Sequence, residues 1–134
     1  MKKVIPILGV LAVLLLLVPT NSITQQADEK VYWMVTVEVP LAKLAEYHAG
    51  TGQESAALLE KHGYHIIAGW QTIVGNIEEV IFVAEFEDMA AYHKARVSVL
   101  GSEEWKSLTE KYGVIARSNK TRFMSALPYI PVKK

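Results

Sequence analysis

The stretch Gly63 to Asp88, GYHIIAGWQTIVGNIEEVIFVAEFED, constrains the fold more than any other part of the chain. Two apolar, β-branched-rich runs, Tyr64 to Val74 and Glu79 to Phe86, flank Gly75-Asn76-Ile77. Glycine and asparagine tolerate the positive φ of a tight turn, so the spacing predicts an antiparallel hairpin. A helix-like segment lies on each side of the hairpin, and a strand-like run lies beyond each helix. The order βαββαβ predicts an α+β sandwich of the split βαβ type, with a four-stranded antiparallel sheet and helices on one face.

The outer elements follow from periodicity and punctuation. Val31, Trp33, Val35, Val37 and Val39 alternate with Tyr32, Met34, Thr36 and Glu38, which gives a first strand with one apolar face. Pro40 stops that strand and suits a first helical turn. Leu41, Leu44, Ala45, His48, Leu58, Leu59 and His62 recur at helical spacing. Gly50-Thr51-Gly52 is expected to kink or split this helix, and Gly63 to end it. Asp88 is placed to cap a second helix that runs through Tyr92 and Val97 to Leu100. Ser102 is placed to cap a further short helix carrying Trp105, Leu108, Thr109 and Tyr112, which Gly113 is expected to close. Ser118 to Pro128 reads as the fourth strand and Tyr129 to Lys134 as an irregular tail.

At 134 residues the chain is one domain on size. Its formal net charge is zero and no Lys/Arg-rich patch occurs, which argues against nucleic-acid binding. The lack of cysteine excludes disulfides, thiolate zinc sites, thiol nucleophiles and lipoprotein acylation. Met1-Lys2-Lys3 followed by the apolar run Val4 to Val18 has the design of an export signal. The run is short of the roughly 20 apolar residues that a stable bilayer span needs. Residues 1–22 are read as a signal peptide or N-terminal membrane anchor, 23–30 as a linker, 31–128 as the folded domain and 129–134 as its tail. The protein is expected to be exported, either secreted or periplasmic or held on the outer face of the cytoplasmic membrane. Cleavage and retention of the leader both remain open.

The faces of the sheet carry the functional argument. Val31, Trp33, Val35 and Val37 with Val80, Phe82, Ala84 and Phe86 form the side that helices cover. The opposite side bears Tyr32, Met34, Thr36, Glu38, Ile81, Val83 and Glu85. Within Tyr64 to Val74, Ile66, Ala68 and Trp70 are expected to face the helices, which sends His65, Ile67, Gly69 and Gln71 to the mixed side. Each aliphatic side chain left in water there forgoes about 1.5–3 kcal/mol. A second copy of the chain closing over this side is the simplest remedy, so a homodimer is expected.

Several segments then fall in a familiar order: LAKLAEY and LLEKHG between Leu41 and Gly63, Gly69-Trp70 with Gly75 and Glu79-Val80, Phe86-Glu87-Asp88, and Ser102-Glu103-Glu104-Trp105. From Val31 to about Leu127 the chain resembles the NIPSNAP proteins of the ferredoxin-like, dimeric α/β-barrel superfamily. The resemblance implies a homodimer whose two sheets form a barrel-like core. It implies no settled reaction: prokaryotic-type members mostly lack a defined activity, and eukaryotic ones are linked with membranes and trafficking.

Individual residues suggest two functions of different class. His62 and His65 do not share a face and no carboxylate cluster completes a ligand set, so no metal and no cofactor are expected. His48, on the first helix, reads first as a core histidine bonded to backbone and second as an acid/base. Trp70 and Trp105 read as core or interface aromatics, and Glu38, Glu85 and Arg122 as an ion-pair network across the mixed face. The functional alternative is a ligand pocket formed by Tyr32, Met34, Gln71 and Arg122, with Arg122 holding an anionic group. The catalytic residues stay unassigned, His48, His65 and Glu85 being the candidates to move a proton. The first function is a non-catalytic homodimeric module that binds a small apolar ligand or a partner protein. The second is a cofactor-independent enzyme of the monooxygenase or isomerase type, acting in the barrel cavity.

Overall fold

A computed structural model describes residues 30–130. The leader, nearly all of the linker and the last four residues of the tail lie outside the described residues. Strand β1 (Val31–Glu38) leads through a 3₁₀ turn at Leu41–Lys43 into α1 (Leu44–Ala49) and α2 (Thr51–Lys61). Strands β2 (His65–Gln71) and β3 (Glu79–Phe86) follow, then α3 (Met89–Leu100), α4 (Glu103–Ile115) and β4 (Ser118–Ser125). The sheet order is β2-β3-β1-β4 with every neighbour antiparallel, which is the α+β arrangement expected from the element order. The sheet is open and does not close on itself. Among the described residues no helix is long and apolar enough to cross a membrane.

Local chemistry accounts for the boundaries. Gly50 separates α1 from α2, as the Gly-Thr-Gly triplet requires. Gly63 follows α2 at φ +96°, a conformation that a side chain would strain, and it turns the chain into β2. The Asp88 carboxylate accepts the Ala91 N–H at 2.7 Å, and the Ser102 hydroxyl accepts that of Trp105 at 3.2 Å, so both caps hold as expected. Three boundaries differ. Helix α4 continues through Gly113 to Ile115, because an exposed glycine lowers helix propensity without breaking the helix. Strand β2 stops at Gln71, and residues 72–78 form a seven-residue loop in place of a tight turn. Strand β4 ends at Ser125, short of Pro128.

One side of the sheet is the core side. Trp33, Val35, Val37, Val80, Ala84 and Phe86 are buried there in one cluster with Leu44, Tyr47, Leu58, Leu59, Tyr92, Val99 and Leu108 from the helices. Tyr64 anchors an edge-to-face aromatic chain, 5.1 Å from the rings of both Trp33 and Phe86, and Tyr92 extends it to Phe123 at 4.7 Å. Each such pair contributes about 0.5–1.5 kcal/mol beyond area burial.

The register of β2 corrects the expected facing of its second half. Ile66 pairs with Ala84 while Ala68 pairs with Val83, so Ile67 is an extra residue in a β-bulge. A one-residue bulge reverses every side chain beyond it. Ile66 faces the helices as expected, but Ala68 and Trp70 lie on the open face opposite Val83 and Ile81. Gly69 and Gln71 move to the helix side. Trp70 is 55% exposed in the protomer, so it is not a core residue.

Candidate functional site

The open face gathers part of the expected ligand set. Arg122 stands opposite Met34 and Met124 opposite Tyr32 in the β1–β4 register, so Tyr32, Met34 and Arg122 share this face. Gln71 does not join them, because the bulge has turned it to the helix side. The expected ion-pair network does not form either. Glu85 takes the Lys30 ammonium at 2.7 Å and the Tyr32 hydroxyl at 3.3 Å. Glu38 instead accepts from Ser118 at 3.1 Å and lies 3.7 Å from Arg117. Among the described residues Arg122 makes no ion pair. The bond to Glu85 raises the Lys30 pKa, and burial beside that carboxylate raises the Tyr32 pKa.

The three proton-transfer candidates do not converge. His65 is an exposed open-face residue paired across the strands with Glu85. His48 sits on the other side of the sheet, exposed rather than buried, with Nε2 at 2.9 Å from the Gln71 side-chain oxygen. The expected backbone-bonded core histidine is therefore not present at position 48. His62 bonds the Ser98 hydroxyl through Nδ1 at 2.8 Å, while its buried Nε2 has no partner among the described residues. Among the described residues no group of three His, Asp or Glu side chains could hold a metal ion.

The enclosed space lies elsewhere, between the helix side of the sheet and helices α2, α3 and α4. A cavity of about 300 Å³ is floored by Trp33, Val35 and Val37 of β1 and roofed by Leu59, Val99 and Trp105. This volume is at the lower end for small-molecule sites. Asn119 and Thr121 of β4 line it and are exposed, so the space meets solvent along that strand. Neither His48, His65 nor Glu85 lines it, and among the described residues no carboxylate or histidine does.

Tyr47, Tyr64 and Tyr112 line it together with Ser55, Thr109, Asn119 and Thr121. Tyr47 is 1% exposed, the most buried large side chain in the helices, and its hydroxyl has no hydrogen-bond partner among the described residues. Its ring meets that of Tyr112 edge to face at 6.3 Å, and interaction with the Tyr112 hydroxyl opposes part of the effect of burial on its pKa. The helix break makes this placement possible. A Cβ on Gly52 would come within 2.8 Å of the Tyr47 ring and 3.0 Å of its carbonyl, so only glycine lets α2 start so close to that side chain. Burial pushes the Tyr47 and Tyr64 phenols up to about 12 and that of Tyr112 higher still. Lost hydration disfavours the phenolate, so all three act as neutral hydroxyls. Arg96 of α3 is exposed and, among the described residues, is the one charged side chain lining the cavity; it donates to the Tyr92 hydroxyl at 3.1 Å.

Reasoning from the sequence placed Trp105 correctly against the core but nominated none of Tyr47, Tyr64, Tyr112 and Arg96. The available signal was spacing: Tyr47 follows Leu44 by three residues on the same helix stripe, and Gly52 follows shortly after. The chemistry of histidines is conspicuous in a sequence whether or not they are enclosed.

A family model described as NIPSNAP matches residues 32–131. A solved NIPSNAP family protein of unknown function from Agrobacterium tumefaciens superposes with a TM-score of 0.72 at 14% identity, covering 79% of this chain and 96% of that one. An uncharacterized NIPSNAP-like domain protein from Burkholderia xenovorans gives 0.71 at 14% identity, covering 78% and 91%. SnoaB, a cofactor-independent oxygenase from Streptomyces nogalater, gives 0.57 at 13% identity, covering 78% and 99%. A sequence search of the curated proteins gives no match.

Proposed function

This chain belongs to the NIPSNAP family, and from that premise we propose that it is an exported, homodimeric binding module whose helix-side cavity takes a small apolar molecule. The observation that carries this reading is the cavity itself: about 300 Å³ walled mainly by aromatic and aliphatic side chains and reaching solvent along β4. The open face supports the dimeric part, because Trp70 and Ile67 are exposed beside Met34 and Ile81. The basic start and apolar run of residues 1–18 support export.

Native mass spectrometry of the full-length protein, purified without added ligand, tests the central claim. A co-purifying mass released on denaturation is expected, together with a dimer at micromolar concentration. Cavity-filling Val99→Phe or Leu59→Trp that leaves any such ligand bound would place the site elsewhere. A reporter fused after the leader should appear outside the cytoplasm, and retention inside would overturn the export proposal.

The second reading is a cofactor-independent enzyme like those built on the same fold. The aromatic cavity favours it, since it suits a phenolic substrate. It ranks below binding because such chemistry needs a proton acceptor, whereas the tyrosines lining the cavity are held neutral. Oxygen consumption with a phenolic substrate that disappears in Tyr47→Phe would reverse the ranking.

A further inference from the structure

The open face of the sheet is a grid of side chains whose free charges are sorted to two of its edges. The strand register sets Met34, Val83 and Arg122 in one row, and Thr36, Ile81, Trp70 and Lys120 in the next. Glu38 and Glu79 share the row after that, at the end of the strands. Arg122 and Lys120 therefore line the β4 edge, the two glutamates line the end, and Met34, Thr36, Ile81 and Val83 form an uncharged centre. Among the described residues neither Arg122, Lys120 nor Glu79 makes an ion pair or a side-chain hydrogen bond. They cannot satisfy one another within one chain. Arg122 and Glu79 stand four residues apart in register and two strands apart, about 17 Å by strand geometry.

Two copies closing face to face about a two-fold axis through the centre of this face have few ways to align such a grid. With the axis along the strands, Glu38 lies over the partner's Glu79. With the axis across the strands, Arg122 lies over the partner's Lys120. Both juxtapose like charges, which opposes association. A diagonal axis makes the two sheets cross at near 90°, one of the two ways in which sheets pack. One diagonal sets the Trp70 ring on the partner's Glu79. The other brings Arg122 to the partner's Glu79 and Lys120 to the partner's Glu38, with Ile81 on the partner's Met34 and Trp70 on the partner's Tyr32. Each free charge then meets its opposite, and the apolar side chains meet one another.

Building on the homodimeric part of the reading above, we propose that a second copy crosses this face at near 90°, held in register by Arg122 against the partner's Glu79 and Lys120 against the partner's Glu38. Each pair occurs twice, once on either side of the axis. Burial of Ile81, Met34 and Trp70 supplies the affinity, and the charges at the edges select this one orientation.

Charge reversal followed by mixing tests the crossing, read by sedimentation equilibrium of the full-length protein. Arg122→Glu sets an acid against the partner's Glu79, and Glu79→Lys sets a cation against the partner's Arg122. Each variant alone should dimerise about a hundredfold more weakly than the parent, because an interface tolerates like-charge contacts poorly. An equimolar mixture of the two should recover dimers, since every contact in the mixed dimer again joins opposite charges. A mixture that associates no better than its separate components would overturn the crossing, as would variants that dimerise like the parent. The homodimeric reading would stand in either case, because the parent is then still a dimer. A parent that sediments as a monomer at micromolar concentration would remove both. Should either reversed variant fail to fold, Arg122→Gln and Glu79→Gln should each weaken the dimer about tenfold, and unchanged association of both would overturn the proposal.

Discussion

On the helix side of β1, Trp33, Val35 and Val37 are buried, and the helices seal them into a continuous core. One residue along the same strand, Met34, Thr36 and Glu38 are only half-buried, and strands β2 and β4 add exposed Trp70, Ile67 and Arg122. Tyr32 and Val83 are buried on this second face too, but they stand outside the core cluster. The contrast shows that the two faces draw on the same strands for different purposes. One face holds the protomer together and encloses a cavity, while the other keeps large apolar side chains available for contact.

The contrast breaks first if the core side is not load-sharing. Phe86 is buried and ringed by Tyr64 and Tyr92 at 5.1 and 5.4 Å. Phe86→Ala should lower stability by about 3–5 kcal/mol, read as a large drop in the urea midpoint. A loss below about 1 kcal/mol would mean that the helices do not pack as described. The open face gives the complementary test. Met34→Asp puts a charge at its centre, beside Val83 and Arg122. If two copies close over this face, association should weaken on the order of 3 kcal/mol, more than a hundredfold. Light scattering should then report a monomer with near-normal secondary structure, and an unchanged mass would remove the open face from consideration as an interface.

The legibility of these two faces in the sequence differed for a physical reason. Strands β1 and β3 alternate without interruption, so the facings of Trp33, Met34, Phe82 and Val83 followed directly from period two. The caps at Asp88 and Ser102 were equally plain, because each is a short-range side-chain-to-backbone bond. Strand β2 defeated the same logic, since HIIAGWQ contains no residue that marks Ile67 as the bulge. The cavity was less legible still. It depends on Tyr47 from α1, Arg96 from α3 and Tyr112 from α4 meeting over β1, and no local pattern encodes how three helices converge.

A pH series probes the helix side more gently. The folded phenols of Tyr47 and Tyr64 titrate at about 12, whereas in the unfolded chain they ionise near the ordinary value of 10. Above pH 10 the unfolded state therefore holds fewer protons than the folded one, and stability falls as pH rises. The loss should be absent below pH 10 and develop between about 10 and 12, measured by urea midpoints alongside ultraviolet phenolate absorbance. Tyr64→Phe should flatten this slope. A slope that the substitution leaves unchanged would show that Tyr64 is hydrated.

Trp70 offers the smallest effect on folding and the sharpest reading of the bulge. On the helix side its removal would open a cavity and cost about 3–5 kcal/mol. On the open face, 55% exposed, it contributes little to the protomer. Trp70→Ala should therefore shift the urea midpoint by no more than about 0.5 kcal/mol, as at other exposed positions, when measured at concentrations where the protein is monomeric. At higher concentration the substituted protein should lose stability relative to the parent, because a dimer adds a concentration-dependent term that the substitution weakens. A large loss at every concentration would put Trp70 back in the core and Ile67 back in regular register. A null result at every concentration would leave its ring exposed but without a partner, and the open face would then need another anchor, such as Ile81 or Met34.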